Sequence, residues 1–288
     1  MEPSSPAPRP CDTSSSVSRT RSIACRLLAG SGSARLVAYR WAPCTTIDSL
    51  VHGVTTHGEL VVATCSPAHQ PDDPLLDAQP VEVRLSILKD AADPSVRINS
   101  AAVHALGTLE WVPECESTQM LVTDELPVQV AAIAAGENGR LGIVRARRIL
   151  VHDATGITPV ALSDLRQCLA GSTATAPFPC TDEELDAYHE VLACGEETLC
   201  RITDAVSCGL LPGRELTRRP LREGCVHIGD RVYCADVDRT GMVLVKVGAE
   251  STETVFAPFP VEVDSIETLS AQLEGLVRDS AAMALPGR

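Results

Sequence analysis

The sequence predicts an α+β protein: an N-terminal antiparallel β-barrel or sandwich, then a small C-terminal unit of a helix, three antiparallel strands and a helix. Three observations predict it. Residues 34–152 form a series of short alternating or continuous apolar runs separated by turn signals. Around residue 160 the texture changes, and the Gly/Ser/Thr/Pro stretch GSTATAPFPC follows. Beyond it, apolar residues recur at helical spacing, then at strand spacing, then at helical spacing again.

Each element has its own signal. Residues 1–19 are rich in Ser and Pro and lack periodicity, which reads as a disordered tail. TRSIACRLLAG puts Ile23, Leu27 and Leu28 on one helical face, with Gly30 as a stop. ARLVAYRW, TIDSLVHGV and ELVVATC read as strands, the last two split by the turn His57-Gly58. LLDAQ suggests a short helical insertion. In PVEVRLSILKD, Val81, Val83, Leu85 and Ile87 face one way and Glu82, Arg84 and Ser86 the other. SVRINSAAVHALGTLEWV is long for one strand, and Gly107 marks a bend or bulge. QMLVTDEL and RLGIVRARRILVHD complete the β-rich part.

The organisation is therefore a tail at 1–19, a β domain at 20–160, a linker at 161–180 and an α+β domain at 181–284. In the last, Thr181 or Asp182 caps a helical stretch in which Leu185, Tyr188, Leu192, Leu199, Ile202 and Val206 recur. Gly195 leaves open one bent helix or two. GLLPGRELTRRPLREG reads as a loop. RVYCADVDRTGMVLVKV is a hairpin turning at Asp238-Arg239-Thr240-Gly241, and TETVFAPF is a third strand. Asp264 and Glu267 have the spacing of a capping box before the stripe Ile266, Leu269, Leu273, Leu276 and Val277.

Composition excludes several classes. At 288 residues and 44% hydrophobic content the chain can bury a real core. A net charge of −14 opposes phosphate backbones and anionic membranes, and 3% aromatic content offers no stacking platform, so no nucleic-acid or membrane partner is expected. No run approaches the ~18 apolar residues of a spanning helix. The twelve cysteines contain no C-x-x-C and follow no signal peptide, so reduced thiols in a cytoplasmic protein are expected. Hydrolase, zinc-protease and phosphate-loop motifs are absent from the sequence.

The run from Val232 to Val277 resembles the C-terminal domain of haem-utilisation split barrels of the HugZ and HutZ type. Asp238, Arg239, Gly241, Pro258, Phe259, Pro260, Val263 and Asp264 stand at that domain's Asp-Arg-x-Gly turn, its PFP edge and its acidic cap. The preceding β-rich stretch is similar to the FMN-binding split barrel of pyridoxamine-phosphate oxidases, with VHALGTLEWV as the long barrel strand. The resemblance implies an N-terminal antiparallel split barrel, a symmetric homodimer, and haem or FMN as cofactor in haem or iron handling. It also leaves two alternatives, a cofactor-free regulator acting through a protein partner and an FMN-dependent oxidoreductase. The family's HMNxDH helix signature is missing, since that helix here reads TDEELDAYHEVL.

Candidate cofactor ligands follow from charge and chemistry. Arg84 and Lys89 have the R-x-x-x-x-K spacing of a flavin-phosphate clamp, and Arg97 stands close enough in sequence to join it. Arg145 and Arg147 share a strand face and suit a phosphate or haem propionates, or else cross-strand carboxylates. His227, two residues after Cys225, and His189 are the candidate axial ligands of a haem. His104 alternates with Ala102 and Leu106 and faces a core or a dimer seam.

Overall fold

A computed structural model describes residues 13–40, 45–65, 79–169, 177–220 and 231–283. Helix α1 (Thr13–Leu28) is followed by β1 (Ser33–Ala38), β2 (Thr45–Val54), β3 (Leu60–Cys65), β4 (Val81–Asp90) and β5 (Asn99–Trp111). Two short helices, α2 (Glu114–Val122) and α3 (Val128–Ala134), precede β6 (Gly139–Asp153) and β7 (Gly156–Ala161). A 3-10 turn, Leu162–Leu165, leads into α4 (Arg166–Leu169). The second half contains α5 (Glu184–Ala193), α6 (Glu196–Ser207), β8 (Arg214–Pro220), β9 (Arg231–Asp238), β10 (Gly241–Val247), β11 (Ser251–Pro258) and α7 (Ile266–Met283).

The first sheet runs β3-β2-β1-β4-β5-β6-β7, and a β3–β6 pairing closes its first six strands into an antiparallel barrel. The alternation read in β4 is the observed one: Val81, Val83, Leu85 and Ile87 point inward and are buried, while Glu82 and Arg84 are exposed. Gly107 does mark a bulge. The β5–β6 register shifts between Ala105 and Gly107, and a Cβ at Gly107 would lie 2.5 Å from the Arg145 carbonyl oxygen. The interior is filled by Leu36, Val83, Leu85, Ile87, Val103, Leu109 and Ile149, and α1 packs on it through Ile23, Ala24, Leu27 and Leu28.

The second sheet runs β8-β11-β10-β9. It is covered on both faces. Met242, Leu244 and Val255 pack into a core with α5, α6 and α7, whereas Val243, Val245 and Phe256 form a separate buried cluster with Ile98, which precedes β5. At the hairpin turn the Asp238 carboxylate accepts hydrogen bonds from the Thr240 amide and hydroxyl and the Gly241 amide, at 2.8, 2.6 and 3.2 Å. The PFP edge then seats on that turn, because Phe259 and Val263 donate backbone bonds to the carbonyls of Thr240 and Arg239.

Several expectations need correction. Helix α1 begins at Thr13, so residues 13–19 are not tail; Arg19 is buried there and bonded to Asp153. QMLVTDEL is not a strand. Met120 is buried on one side of α2, whose first turn carries Glu114 and Glu116, and a short apolar run does not distinguish the two periods. The expected loop GLLPGRELTRRPLREG contains β8, a polar edge strand held by the ladder of β11. Residues 161–169 of the expected linker close β7 and form the 3-10 turn and α4, with Leu165 buried. The helical stretch divides into α5 and α6 at Gly195, whose φ of 81° lies in the left-handed region. Its inward face is Ala187, Tyr188 and Val191, leaving Leu185 and Leu192 exposed. The cap of α7 is one residue later than expected: the Ser265 hydroxyl accepts from the Thr268 amide, and the Thr268 hydroxyl accepts from the Ser265 amide. Nearly all of LLDAQ lies outside the described residues.

Cysteine use also differs. Cys25 on α1 and Cys168 on α4 form a disulfide, their Cα atoms 6.4 Å apart and so within ordinary reach. Cys65, Cys115, Cys180, Cys194, Cys208 and Cys234 are free thiols.

Candidate functional site

Of the sequence-proposed cations, Arg84, Lys89 and Arg97 do not converge. Arg84 and Lys89 are five residues apart on β4 and point to opposite faces, as a period of two requires. Arg84 is exposed, whereas Lys89 is buried and pairs with Glu184 of α5. These two side chains therefore form no phosphate clamp. Arg97 is exposed and lies 3.6 Å from Asp90. Arg145 pairs with Glu110 at 2.9 Å and with Glu59 at 3.7 Å, the cross-strand alternative already open in the sequence. Arg147 is exposed on the same face of β6. His189 is exposed on α5 beside Tyr188. His227 lies outside the described residues.

Lys89 belongs to a buried ion cluster between the barrel and the second sheet. Arg26 of α1, 1% exposed, grips Asp236 of β9 in a two-pronged contact at 2.9 and 2.5 Å. Glu184 stands 4.0 Å from Arg26, and Lys89 stands 3.9 Å from Asp236. Two cations from the barrel side thus meet two acids from the second half. Burial opposes charge on Arg26, but Asp236, then Asp238 and Glu184, outweigh it and the guanidinium is held above its usual value. Burial likewise favours the neutral Asp236 carboxyl, and Arg26 with Lys89 outweighs it, holding that carboxyl below the usual range. The cluster is a structural seam, closed to a ligand.

Beside this seam the same two layers separate into a cleft of about 380 Å³. Its floor is the barrel-facing side of the second sheet, with Ala235, Val243, Val245 and Val247 at the centre. Thr217, Thr252 and Thr254 surround them, and Arg219 stands at the β8 edge. The opposite wall is residues 97–101 and 152–154 of the barrel rim, including Arg97 and His152. His152 also meets His104 edge-on, ring centroids 4.9 Å apart, and the His104 Nδ1 lies 3.0 Å from the Ser86 hydroxyl. Burial, then His152 and Arg84, lower the His104 pKa and keep this imidazole neutral at physiological pH. The cleft thus combines an apolar floor, two exposed guanidiniums and one imidazole.

His152 and Arg219 were not singled out from the sequence. His152 ends the alternation Arg148-Leu150-His152 on one face of β6, and that position was the available signal. Arg219 has no such signal, because RELTRRP is mostly polar and is a strand only through the ladder of β11.

No protein-family model matches the chain, and no curated protein matches it. Solved structures do match. A haem-binding protein from Mycobacterium smegmatis aligns with 96% of this chain and 100% of its own, at 14% identity and a TM-score of 0.48. A protein of unknown function from Agrobacterium tumefaciens aligns with 96% of this chain and 100% of its own, at 14% identity and a TM-score of 0.37. Among the described residues no helix is long and apolar enough to cross a membrane, and no group of three or more His, Cys, Asp or Glu side chains is placed to hold a metal ion.

Proposed function

We propose that the protein binds haem in the cleft between the barrel rim and the second sheet, in haem or iron handling. The observation that carries this reading is the cleft's donor set. A haem needs an apolar surface for its ring, cations for its propionates and a nitrogen ligand for its iron. Val243, Val245 and Val247 supply the first, Arg97 and Arg219 the second, and His152 the third. The volume of about 380 Å³ is in the range of small-molecule sites. When bound, the group would supply iron chemistry; the chain's own residues orient it, neutralise its carboxylates and shield one face from water.

The cleft has no clamp of the R-x-x-x-x-K kind, which weighs against a flavin phosphate held by Arg84 and Lys89. The test is a haem titration followed at the Soret band. The expected result is saturable binding, a shifted Soret maximum in His152→Ala, and affinity about tenfold lower for Arg97→Ala and Arg219→Ala. Saturable binding with spectra and affinity unchanged in all three variants refutes this cleft as the site. No saturable binding at all refutes the haem reading and leaves the cofactor-free regulator.

A second reading concerns assembly. We propose a homodimer through the outer face of β4 to β7, where Leu88, Leu106, Leu150 and Ile157 are exposed together around His104. Four large apolar side chains on one sheet face favour a covered surface, and a second copy brings the same patch under a two-fold axis.

A further inference from the structure

We propose that an opening in the barrel wall is a second binding site, for a small monocarboxylate with an apolar body. It rests on observations separate from the haem cleft. Strands β3 and β6 pair from Cys65↔Gly139 to Val61↔Ile143 and then part. Strand β7 joins that edge of β6 only from Arg148↔Ala161 onward. Among the described residues, residues 144–147 of β6 therefore have a strand neighbour on the β5 side alone. The wall is open there, over a cavity of about 380 Å³.

The chemistry of the opening is divided. Its interior is apolar, with Leu28 of α1, Val54, Leu60, Val144, Leu162 and Leu169 around it. Its mouth carries Glu59, Arg145 and Arg147. Arg145 is committed to Glu110 and Glu59, one cation shared between two acids. Arg147 is exposed and makes no ion pair among the described residues. In a chain of net charge −14, the mouth of an apolar cavity thus keeps two cations against two acids, and the Arg147 guanidinium has its fork turned to no carboxylate among the described residues. A guanidinium presents a planar fork that matches a carboxylate. The paired carboxylates of Glu59 and Glu110 disfavour a second negative charge, so a monoanion fits better than a dianion or a phosphate. The apolar body takes the place of water along the cavity, and each buried methylene strengthens binding about fourfold.

The experiment is calorimetric titration of the full chain with decanoate, hexanoate and decanol. Expected results are one saturable decanoate site, hexanoate about a hundredfold weaker or more, and decanol weaker than decanoate. Arg147→Gln lowers decanoate affinity about tenfold and leaves decanol unchanged. Ser163→Trp, at an exposed position on the rim, blocks both without touching the core. His152→Ala leaves decanoate binding intact, so failure of the haem reading and failure of this one are distinguishable. The proposal is overturned if decanoate shows no saturable binding, if Arg147→Gln and Ser163→Trp both bind like the parent, or if Arg219→Gln is the variant that weakens it.

Discussion

Replacing Arg26 by Met removes a charge from the seam while keeping a long apolar side chain in its place. Asp236, 8% exposed, then loses both guanidinium bonds and keeps only Lys89, 3.9 Å away. Breaking one side of a buried pair costs about 3–5 kcal/mol, because the remaining ion stays buried without compensation. The residual Lys89 offset puts the expectation near the lower end, about 3 kcal/mol, a large part of the ~5–15 kcal/mol that a folded domain holds. Asp236→Asn should cost a similar amount, since Arg26 then loses both close bonds and keeps only the more distant Asp238 and Glu184, the latter at 4.0 Å. The double variant should lose less than the sum of the two, giving a coupling of about 2–3 kcal/mol. Guanidinium unfolding followed by tryptophan fluorescence and by far-ultraviolet dichroism reads this. With Trp41 replaced by Phe, Trp111 is the remaining fluorophore and packs on the barrel core, so separation of the two curves also reveals loosening of the seam. The pH dependence gives a second check with a definite sign. The folded Asp236 carboxyl is held below its unfolded value of about 3.9. Its stabilisation is therefore present above that value and is lost as pH falls through the lower folded value. Without Arg26, burial dominates, the folded carboxyl rises, and acid unfolding moves to higher pH. A loss under 1 kcal/mol in Arg26→Met, or additive costs in the double variant, would refute the reasoning.

Three further outcomes are expected. Thiol titration of denatured, unreduced protein finds Cys25 and Cys168 linked; a free thiol at both positions in a mass-spectrometric peptide map contradicts the pairing. Asp238→Ala leaves the Thr240 and Gly241 amides of a nearly buried turn without their acceptor and costs about 1.5–3 kcal/mol in urea unfolding; a change within 0.5 kcal/mol is the contrary result. Light scattering at micromolar concentration gives twice the chain mass for the parent and a shift to monomer for Leu106→Glu, whose side chain is 61% exposed on the proposed contact face; a parent of monomer mass refutes the homodimer.

The barrel strands were legible because one face is buried and one is not, which writes an alternating pattern such as Val81-Glu82-Val83-Arg84 into the chain. β8 was not, since RELTRRP owes its strand conformation to the ladder of β11 rather than to its own side chains. The hairpin carried more information than was taken from it. Met242, Val243, Leu244 and Val245 are consecutive apolar residues, and a strand apolar on both faces must be covered on both. That pattern marks the sheet as a middle layer and its barrel-facing side as a place to look for a site. The partnership of Lys89 with Glu184, or of His152 with Arg219 across one cleft, has no local signature. It exists only after elements far apart in the chain have packed.

The separation of Arg26 from Asp236 bears on how the molecule is made. The two are 210 residues apart. During synthesis α1 emerges well before β9, and its guanidinium has only Glu184, 4.0 Å away in the finished fold, to meet until the hairpin has left the ribosome. Contacts of such long range form late, because the intervening chain must be closed before they repay its entropy. The nascent barrel therefore waits with a charged helix on its flank, exposed to water and to any acidic surface nearby. Chains shortened before residue 231 should remain in that state, with Arg26 lacking its two-pronged partner Asp236 however well the barrel itself has closed.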